Sequence, residues 1–567
     1  MRHVARHSGI DSWRAVACAA GMVASWLVAS PALGQSHAQA CPSPTFEASW
    51  THAGGGPSRR SVVDAPPPSM TSPRWVCATD VDGHAVTFLG QSNPTVFAGE
   101  GVHDGRVFAT GLIDADLGEA TLNPYRLFAI SRSTGAVAWQ SSIEPPTFES
   151  NPSPTIDERR RTVLVASGRV LRAFRIADGT LAWSFTAPRD FVNASPLVTQ
   201  DRGTRDRAFV CDYDGGLTSS GAAVLYCINV AAFDVELNPH HPGEVVWQAS
   251  VSTSSGNSVG YLPRDEGGDD LVYVASPGRY RMTPGLIRAW RIEQSASTPV
   301  AAWTRASPLV QGFFGGVSVS GPPEGAGPGA AGSVLAATYS FFGGIDSANV
   351  VKLDASTGAL RWSAASNRTQ SIPVPLGVDR VALAGGLDGY STRPTLSLLQ
   401  EGAGGATTAW TTPDTMTVGG WTNQPIAWSF GGSNLLLAGT PPAAPSPAFD
   451  NPYELSDSML LVDADRDPLH AGFVVRAWSG VGGGVAATAS SVYGVGLIGL
   501  AAFGATPGDL DIDGSSTVDM ADLYAWESSP ASRRDLDGDG MVAAADRTVL
   551  TVALRSRERA FLRGGRP

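Results

Sequence analysis

Apolar and polar residues alternate with a period of two through most of the chain, and Gly, Asp and Pro interrupt the alternation at short intervals. The stretch TVLVASGRVLRAFRIADGTLAWSF (162–185) shows the pattern most fully. Thr162 to Ala166 predicts one strand, turned at Ser167-Gly168. In the next, Val170, Arg172, Phe174 and Ile176 share one face and Leu171, Ala173 and Arg175 the other. Asp178-Gly179 predicts a hairpin turn, because glycine takes positive φ without a Cβ clash. Leu181 and Trp183 then fall on one face of the returning strand. A unit this small cannot bury its aromatic end alone, which predicts further copies.

The copies are present. A turn glycine followed four residues later by Trp recurs as Gly135/Trp139, Gly179/Trp183, Gly243/Trp247 and Gly358/Trp362. Looser versions end at Trp303 (Pro299 in place of the glycine), Trp410 and Trp478. Trp75 ends a strand with no preceding partners, whereas Val485 to Phe503 has the inner strands of a repeat and no Trp strand. The two ends are complementary. Repeats of four strands at this period predict a mainly β fold, a propeller of eight blades closed by pairing the chain's two ends, with seven as the alternative. Many repeats open on an Asn/Ser/Pro element (Asn93-Pro94, Asn151 to Pro154, Asn193 to Pro196, Asn423 to Pro425), suited to an inner strand whose first position needs no ladder donor. Gly/Pro-rich insertions such as 322–333 and 440–453 are expected as rim loops.

Length changes the picture at the C-terminus. At 567 residues, with Gly 65, Pro 40 and 16% charged residues, the chain predicts two unequal domains, the larger made of short strands and turns. A net charge of −12 excludes a nucleic-acid partner, since phosphate contacts need a basic surface.

Residues 1–40 have the form of an export signal: Arg2, Arg6 and Arg14, then a mostly apolar Ala15 to Leu33, then small-residue cleavage options at 32–34 and 38–40. The second option would leave Cys41 at the new N-terminus, where a lipid could be attached. No later apolar run reaches the roughly 20 residues of a spanning helix, so a secreted or envelope-associated protein is expected. Cys211 and Cys227 fall on strands of one repeat and are the candidate disulfide, with free buried thiols as the alternative and Cys41–Cys77 the residual pairing.

The repeats LFAISRSTGAVAW (127–139), LRAFRIADGTLAW (171–183) and VVKLDASTGALRW (350–362) resemble those of the pyrroloquinoline-quinone enzyme family, over roughly residues 45–505. The resemblance implies a propeller in which Trp75, Trp139, Trp183, Trp247, Trp303, Trp362, Trp410 and Trp478 dock blade to blade. It is not specific for activity, because non-enzymatic propellers, including bacterial outer-membrane assembly lipoproteins, use the same repeats. A quinone dehydrogenase of this family would need a cofactor floor and a calcium site inside the ring, often with a disulfide between adjacent cysteines. The sequence has no adjacent cysteine pair and no assignable Glu-Asn-Asp cluster, so quinone binding is not expected.

After a compositional break at Thr506-Pro507-Gly508 the tail carries two acidic loops. In DLDGDGMVAAAD, Asp535, Asp537, Asp539 and Asp546 stand at positions 1, 3, 5 and 12 of an EF-hand-type calcium loop, with Gly540 at 6. In the first loop Asp511, Asp513, Ser515, Asp519 and Asp522 match positions 1, 3, 5, 9 and 12. Alternating oxygens on a tight turn can converge on a hard cation. Each loop should be followed by a helix, giving a small α-helical domain at 506–563. This pair resembles a dockerin type I module, which implies Ca²⁺ binding and a cohesin-like or cell-surface partner. Ser515, Ser516 and Ala543 depart from the family's pattern, and Met520-Ala521 and Ala544-Ala545 stand where partner recognition commonly lies.

Other candidate ligands are His240-His241, Asp212/Asp214 and Asp80/Asp82, for each of which a solvated loop or an Asp-Gly turn is the competing explanation. The sequence therefore predicts an exported, non-catalytic propeller that binds a protein or polysaccharide and is attached through a calcium-loaded tail. The alternatives are an extracellular carbohydrate-active enzyme or quinone oxidoreductase, and an envelope assembly factor.

Overall fold

The computed structural model describes residues 49–504, apart from internal stretches of which the longest is 441–457, and residues 520–528, 547, 550 and 551 of the tail. The export signal and Cys41 lie outside the described residues, as do all the predicted calcium ligands except Asp522. The insertions at 322–333 and 440–453 lie largely outside them too.

Eight radial sheets follow one another along the chain, so the protein is an eight-bladed β-propeller. Blades 1 to 7 occupy residues 86–142, 155–191, 197–252, 260–306, 318–366, 374–411 and 426–479. Blade 8 takes its three inner strands from 485–504 and its outermost from Trp75–Cys77, which pairs antiparallel with Gly499–Gly504 so that Trp75 faces Ala502. First strands are short and fully buried, like Thr155–Asp157 and Val374–Leu376. Last strands alternate between packing and water, like Leu360–Ser366.

Blade 2 shows how tightly the repeat folds. Thr162–Arg175 is one uninterrupted extended run, which if straight would span roughly 45 Å. Yet Ile176 N–H bonds the carbonyl of Arg161 at 2.9 Å. The run is therefore doubled back at Ser167-Gly168, where Gly168 takes φ +54, and it supplies both middle strands of the blade.

The Gly–Trp spacing has a physical origin at the blade junctions. Most outer-strand indoles lie on the turn of the following blade. A Cβ at Gly135 would sit 2.7 Å from the Trp75 ring, one at Gly179 2.5 Å from Trp139, and one at Gly358 2.5 Å from Trp303. Gly243 meets Trp183 at 3.2 Å and Gly405 meets Trp362 at 3.6 Å. The indole N–H then bonds a carbonyl of the same turn: Trp75 to Arg132 (2.9 Å), Trp139 to Ile176 (2.8 Å), Trp303 to Ala355 (3.1 Å) and Trp410 to Ala464 (3.2 Å). Trp247 instead clusters with Trp290 and Ile292 of blade 4, whose turn lacks the glycine. Trp478 bonds the Met70 carbonyl and packs on Phe503 of blade 8. The glycine thus serves twice, supplying positive φ and leaving room for the neighbour's ring.

The expected Cys211–Cys227 bridge is not made. The two lie on paired strands, but the register sets Cys211 opposite Leu225 and Cys227 opposite Phe209. They are diagonal neighbours, at a separation beyond usual disulfide geometry. Both are free, fully buried thiols, and burial pushes both well above the ordinary thiol range. Cys77 is also free, with burial pushing it up to about 11. In the native protein Cys211 and Cys227 should resist alkylation, and each should take up one reagent molecule on unfolding without reductant, read by mass spectrometry. A mass unchanged after unfolding would mean a bridge.

The central channel as candidate functional site

The axis of the ring is where a quinone propeller would hold its cofactor, and here the chain itself occupies it. Residues 50–63, WTHAGGGPSRRSVV, run through the channel and bond inner strands around the ring. Trp50 makes an antiparallel bridge with Val96 of blade 1, with N···O distances of 2.7 and 2.9 Å. The Thr51 carbonyl accepts Ile156 N–H of blade 2 (2.7 Å). Pro57 and Ser58 carbonyls accept Tyr261 N–H of blade 4 and Val319 N–H of blade 5, at 3.0 and 2.9 Å. Val62–Val63 then pairs in parallel with Ala427 and Trp428 of blade 7 and clusters with Val374 of blade 6.

Two ionisable side chains on this segment are completely buried. Arg59 uses all five of its N–H donors. Nε bonds the Val259 carbonyl (2.5 Å). Nη1 bonds the Ala53 carbonyl (2.8 Å) and Ser195 Oγ (3.2 Å), and Nη2 the carbonyls of Ser195 (2.8 Å) and Pro196 (3.1 Å). None of these acceptors is a carboxylate. Burial pushes the guanidinium down to about 9, so it remains a cation at neutral pH, solvated by carbonyl dipoles. The Asn193 to Pro196 element therefore does more than open a strand: its carbonyls form the guanidinium's cradle. Asn-Ser-Pro elements also link adjacent blades, since Ser92 Oγ bonds the Pro152 carbonyl (2.8 Å) and Thr155 Oγ1 the Pro196 carbonyl (2.7 Å).

His52 has its tautomer fixed by its partners. Val198 N–H donates to Nε2 (3.0 Å), so Nε2 holds a lone pair and Nδ1 carries the proton toward Thr51 Oγ1 (2.7 Å). Burial, and then the neighbouring Arg59 charge, hold its pKa well below the ordinary imidazole value. An unfolded chain takes up a proton there below about pH 6.5, and the native one cannot without losing the Val198 bond. The resulting stability is present above that pH and is lost at up to about 1.4 kcal/mol per unit as pH falls below it. Asp201, held up to about 6 by burial, contributes the opposite slope, so the check is a difference. Denaturation midpoints of His52→Gln should fall less than those of the unaltered protein between pH 6.5 and 5; equal falls would contradict it.

A buried charge network joins blades 2 to 4 on the face carrying the turns between first and second strands. Arg160 bonds Asp157 (2.9 Å) and Asp206 (2.7 Å), Arg202 pairs with Asp270, and Tyr261 donates to Asp201 (2.7 Å). These contacts cross blade boundaries and act as positioning contacts.

The remaining candidates are accounted for by turns. Asp80 Oδ1 accepts the N–H groups of Asp82 and His84 (2.9 and 2.8 Å), and Oδ2 meets His84 Nδ1 and Gln140 Nε2, both at 3.2 Å. Asp80, Asp82 and His84 do come together, but each Asp80 oxygen already has two protein partners. Asp212 accepts Val224 N–H (2.7 Å) and the Tyr226 hydroxyl (2.9 Å), and Asp214 accepts Ala222 N–H (2.7 Å). His241 stacks on the exposed Phe233 at 4.5 Å, and the His240 carbonyl accepts from Asn229 (2.6 Å). In the tail, Met520–Ser528 is helical, beginning at position 10 of the first predicted loop, and Asp522 at position 12 is fully buried.

Known proteins share these repeats. Residues 89–307 match the PQQ_2 family model, described as outer membrane protein assembly factor BamB. The match is to propeller repeats. No curated protein is significantly similar in sequence. Among solved structures, BamB from Moraxella catarrhalis is 15% identical with a TM-score of 0.40, covering 69% of this chain and 94% of its own. Sqt1 from Saccharomyces cerevisiae is 13% identical with a TM-score of 0.46, covering 76% and 99%. A europium-containing methanol dehydrogenase is 11% identical with a TM-score of 0.35, covering 70% and 91%. No helix among the described residues is long and apolar enough to cross a membrane.

The residues on the axis do not fit a quinone. Trp50, His52 and Arg59 are fully buried there, and the polar groups of His52 and Arg59 are taken up by Thr51, Ala53 and the chain at the first strands of blades 3 and 4. Nothing in the residue pattern warns of this, because the segment reads as a polar opening.

Proposed function

We propose that the protein is a non-catalytic propeller scaffold of the cell envelope or exterior, working by binding at its surface. The observation that carries this is the channel filled by residues 50–63, which removes the cavity in which the quinone enzymes of the repeat family do their chemistry. The match of residues 89–307 to a family described by the assembly of outer-membrane proteins supports a protein rather than a small molecule as the partner.

Geometry supports attachment by one face. Ser49 bonds Glu158, in the first turn of blade 2. Arg74 bonds the Gly504 carbonyl, and Gly504 ends the third strand of blade 8, which runs in the same direction as the first. Residues 49 and 504 therefore stand at the same face of the ring, the side we assign to attachment, and the opposite face is the one assigned to a partner. The acidic loops and the helix that begins at the end of the first support a dockerin-like tail that loads Ca²⁺ and engages a cohesin-like or cell-surface protein.

Calorimetry on the full chain tests the tail. Calcium uptake is expected, and replacing Asp535, Asp537 and Asp539 together by Ala should abolish uptake at the second loop. No uptake by the unaltered protein would remove the tail from this account. For the propeller, retention of a discrete envelope protein on the immobilised chain is expected. A chromophore after reconstitution with quinone and calcium, or release of reducing ends from polysaccharides, would contradict the scaffold reading.

A further inference from the structure

The geometry points to the central channel as a peptide-binding site whose ligand is the protein's own segment 49–63, held as a separable plug with Arg59 as its anchor. Four observations carry this, the first being direction. All inner strands of a propeller run the same way. Trp50 is antiparallel to the inner strand of blade 1, while Val62–Val63 is parallel to that of blade 7. The segment therefore goes in and comes back out through one face, as a hairpin. Such a loop can be inserted or withdrawn without threading a chain end through the ring.

The second observation is the tip. His52 and Gly55 exchange two backbone bonds (2.8 and 2.7 Å), Arg59 N–H bonds the Gly56 carbonyl (3.0 Å) and Ser61 N–H the Gly54 carbonyl (3.0 Å). Gly54, Gly55, Arg59 and Ser61 all take positive φ. The tip is closed by its own hydrogen bonds, so its shape is set within the segment.

Third, the ring reads the plug mainly through its backbone, by the inner-strand N–H groups of Val96, Ile156, Tyr261, Val319 and Ala427. This is strand addition in short pieces, spread over several blades. Fourth, of the two adjacent arginines at the tip, Arg59 ends among carbonyls at the first strands of blades 3 and 4, outside the plug except for Ala53. A guanidinium presents five donors in a fixed fork, and this cradle offers an acceptor to each; a lysine offers three donors without the fork. The ligand chemistry is thus a short glycine-rich hairpin anchored by the first of its two arginines.

Cutting the link between plug and ring is the test, on the full chain. A specific protease site is inserted after Pro68, in the proline-rich stretch between Val62–Val63 and Trp75–Cys77. After cleavage the N-terminal fragment should remain with the ring through native size-exclusion chromatography and separate only in denaturant. The same cut in Arg59→Lys, a variant that keeps the charge, should loosen the fragment at least tenfold. A synthetic peptide of residues 48–64 should then bind the emptied ring, and its Arg59→Gln version should bind at least tenfold more weakly. Loss of the unaltered fragment on cleavage, or collapse of the cut protein, overturns the separable plug. Retention of the Lys fragment with unchanged affinity overturns Arg59 as the anchor.

Discussion

Gly179→Val is expected to destabilise the propeller by about 4 kcal/mol, through two effects of similar size. Gly179 takes φ +72, where a side chain costs about 1–2 kcal/mol and a β-branched one sits at the upper end. The new Cβ would also lie 2.5 Å from the Trp139 ring, forcing the indole off its seat and off the Ile176 carbonyl. Large core aromatics are worth about 3–5 kcal/mol when lost outright, and displacement forfeits part of that. Gly377→Val separates the terms. Its φ is +61 but nothing lies within 4 Å of the added Cβ, so only the backbone cost of about 1–2 kcal/mol remains. Urea midpoints of the two variants should differ clearly. Equal shifts would mean that the blade junction does not depend on the glycine.

Arg59→Met is expected to cost about 3 kcal/mol, with loss of protection in the plug before the blades unfold. Methionine keeps the length and apolar stem but leaves the carbonyls of Ala53, Ser195, Pro196 and Val259 without their donors. Unpaired buried polar groups cost about 1–3 kcal/mol each. The variant also escapes the desolvation of the cation, visible in its pKa of about 9, so the losses do not simply add. A gain in stability would show that the cation's burial costs more than its five bonds return.

What the sequence made legible is what is local. Gly135, Gly179, Gly243 and Gly358 each precede their Trp by four residues because a hairpin turn fixes that distance, and the turn carries its own composition. Trp75 and the Val485–Phe503 strands were recognisable as complementary because each lacked what the other had. The cysteine pair shows the limit of such reasoning. Neighbouring strands follow from the repeat, but the register that sets Cys211 opposite Leu225 depends on the exact meeting of two strands. The plug was invisible for a different reason. WTHAGGGPSRRSVV has no alternation and little apolar content, and its partners are main-chain groups of distant blades. Backbone recognition leaves almost no mark on the side chains of either party. Only the buried Arg59 could have been a sign, and an arginine in a polar stretch, with Arg60 beside it, ordinarily belongs to the surface.

Native-state hydrogen exchange read by mass spectrometry measures the occupied channel most directly. Peptides covering residues 50–63, and the inner-strand amides of Tyr261 and Val319 that bond the segment's carbonyls, should exchange as slowly as the third strands of the blades. Exchange of residues 50–63 within seconds, beside slow blades, would mean an open axis and would contradict the account.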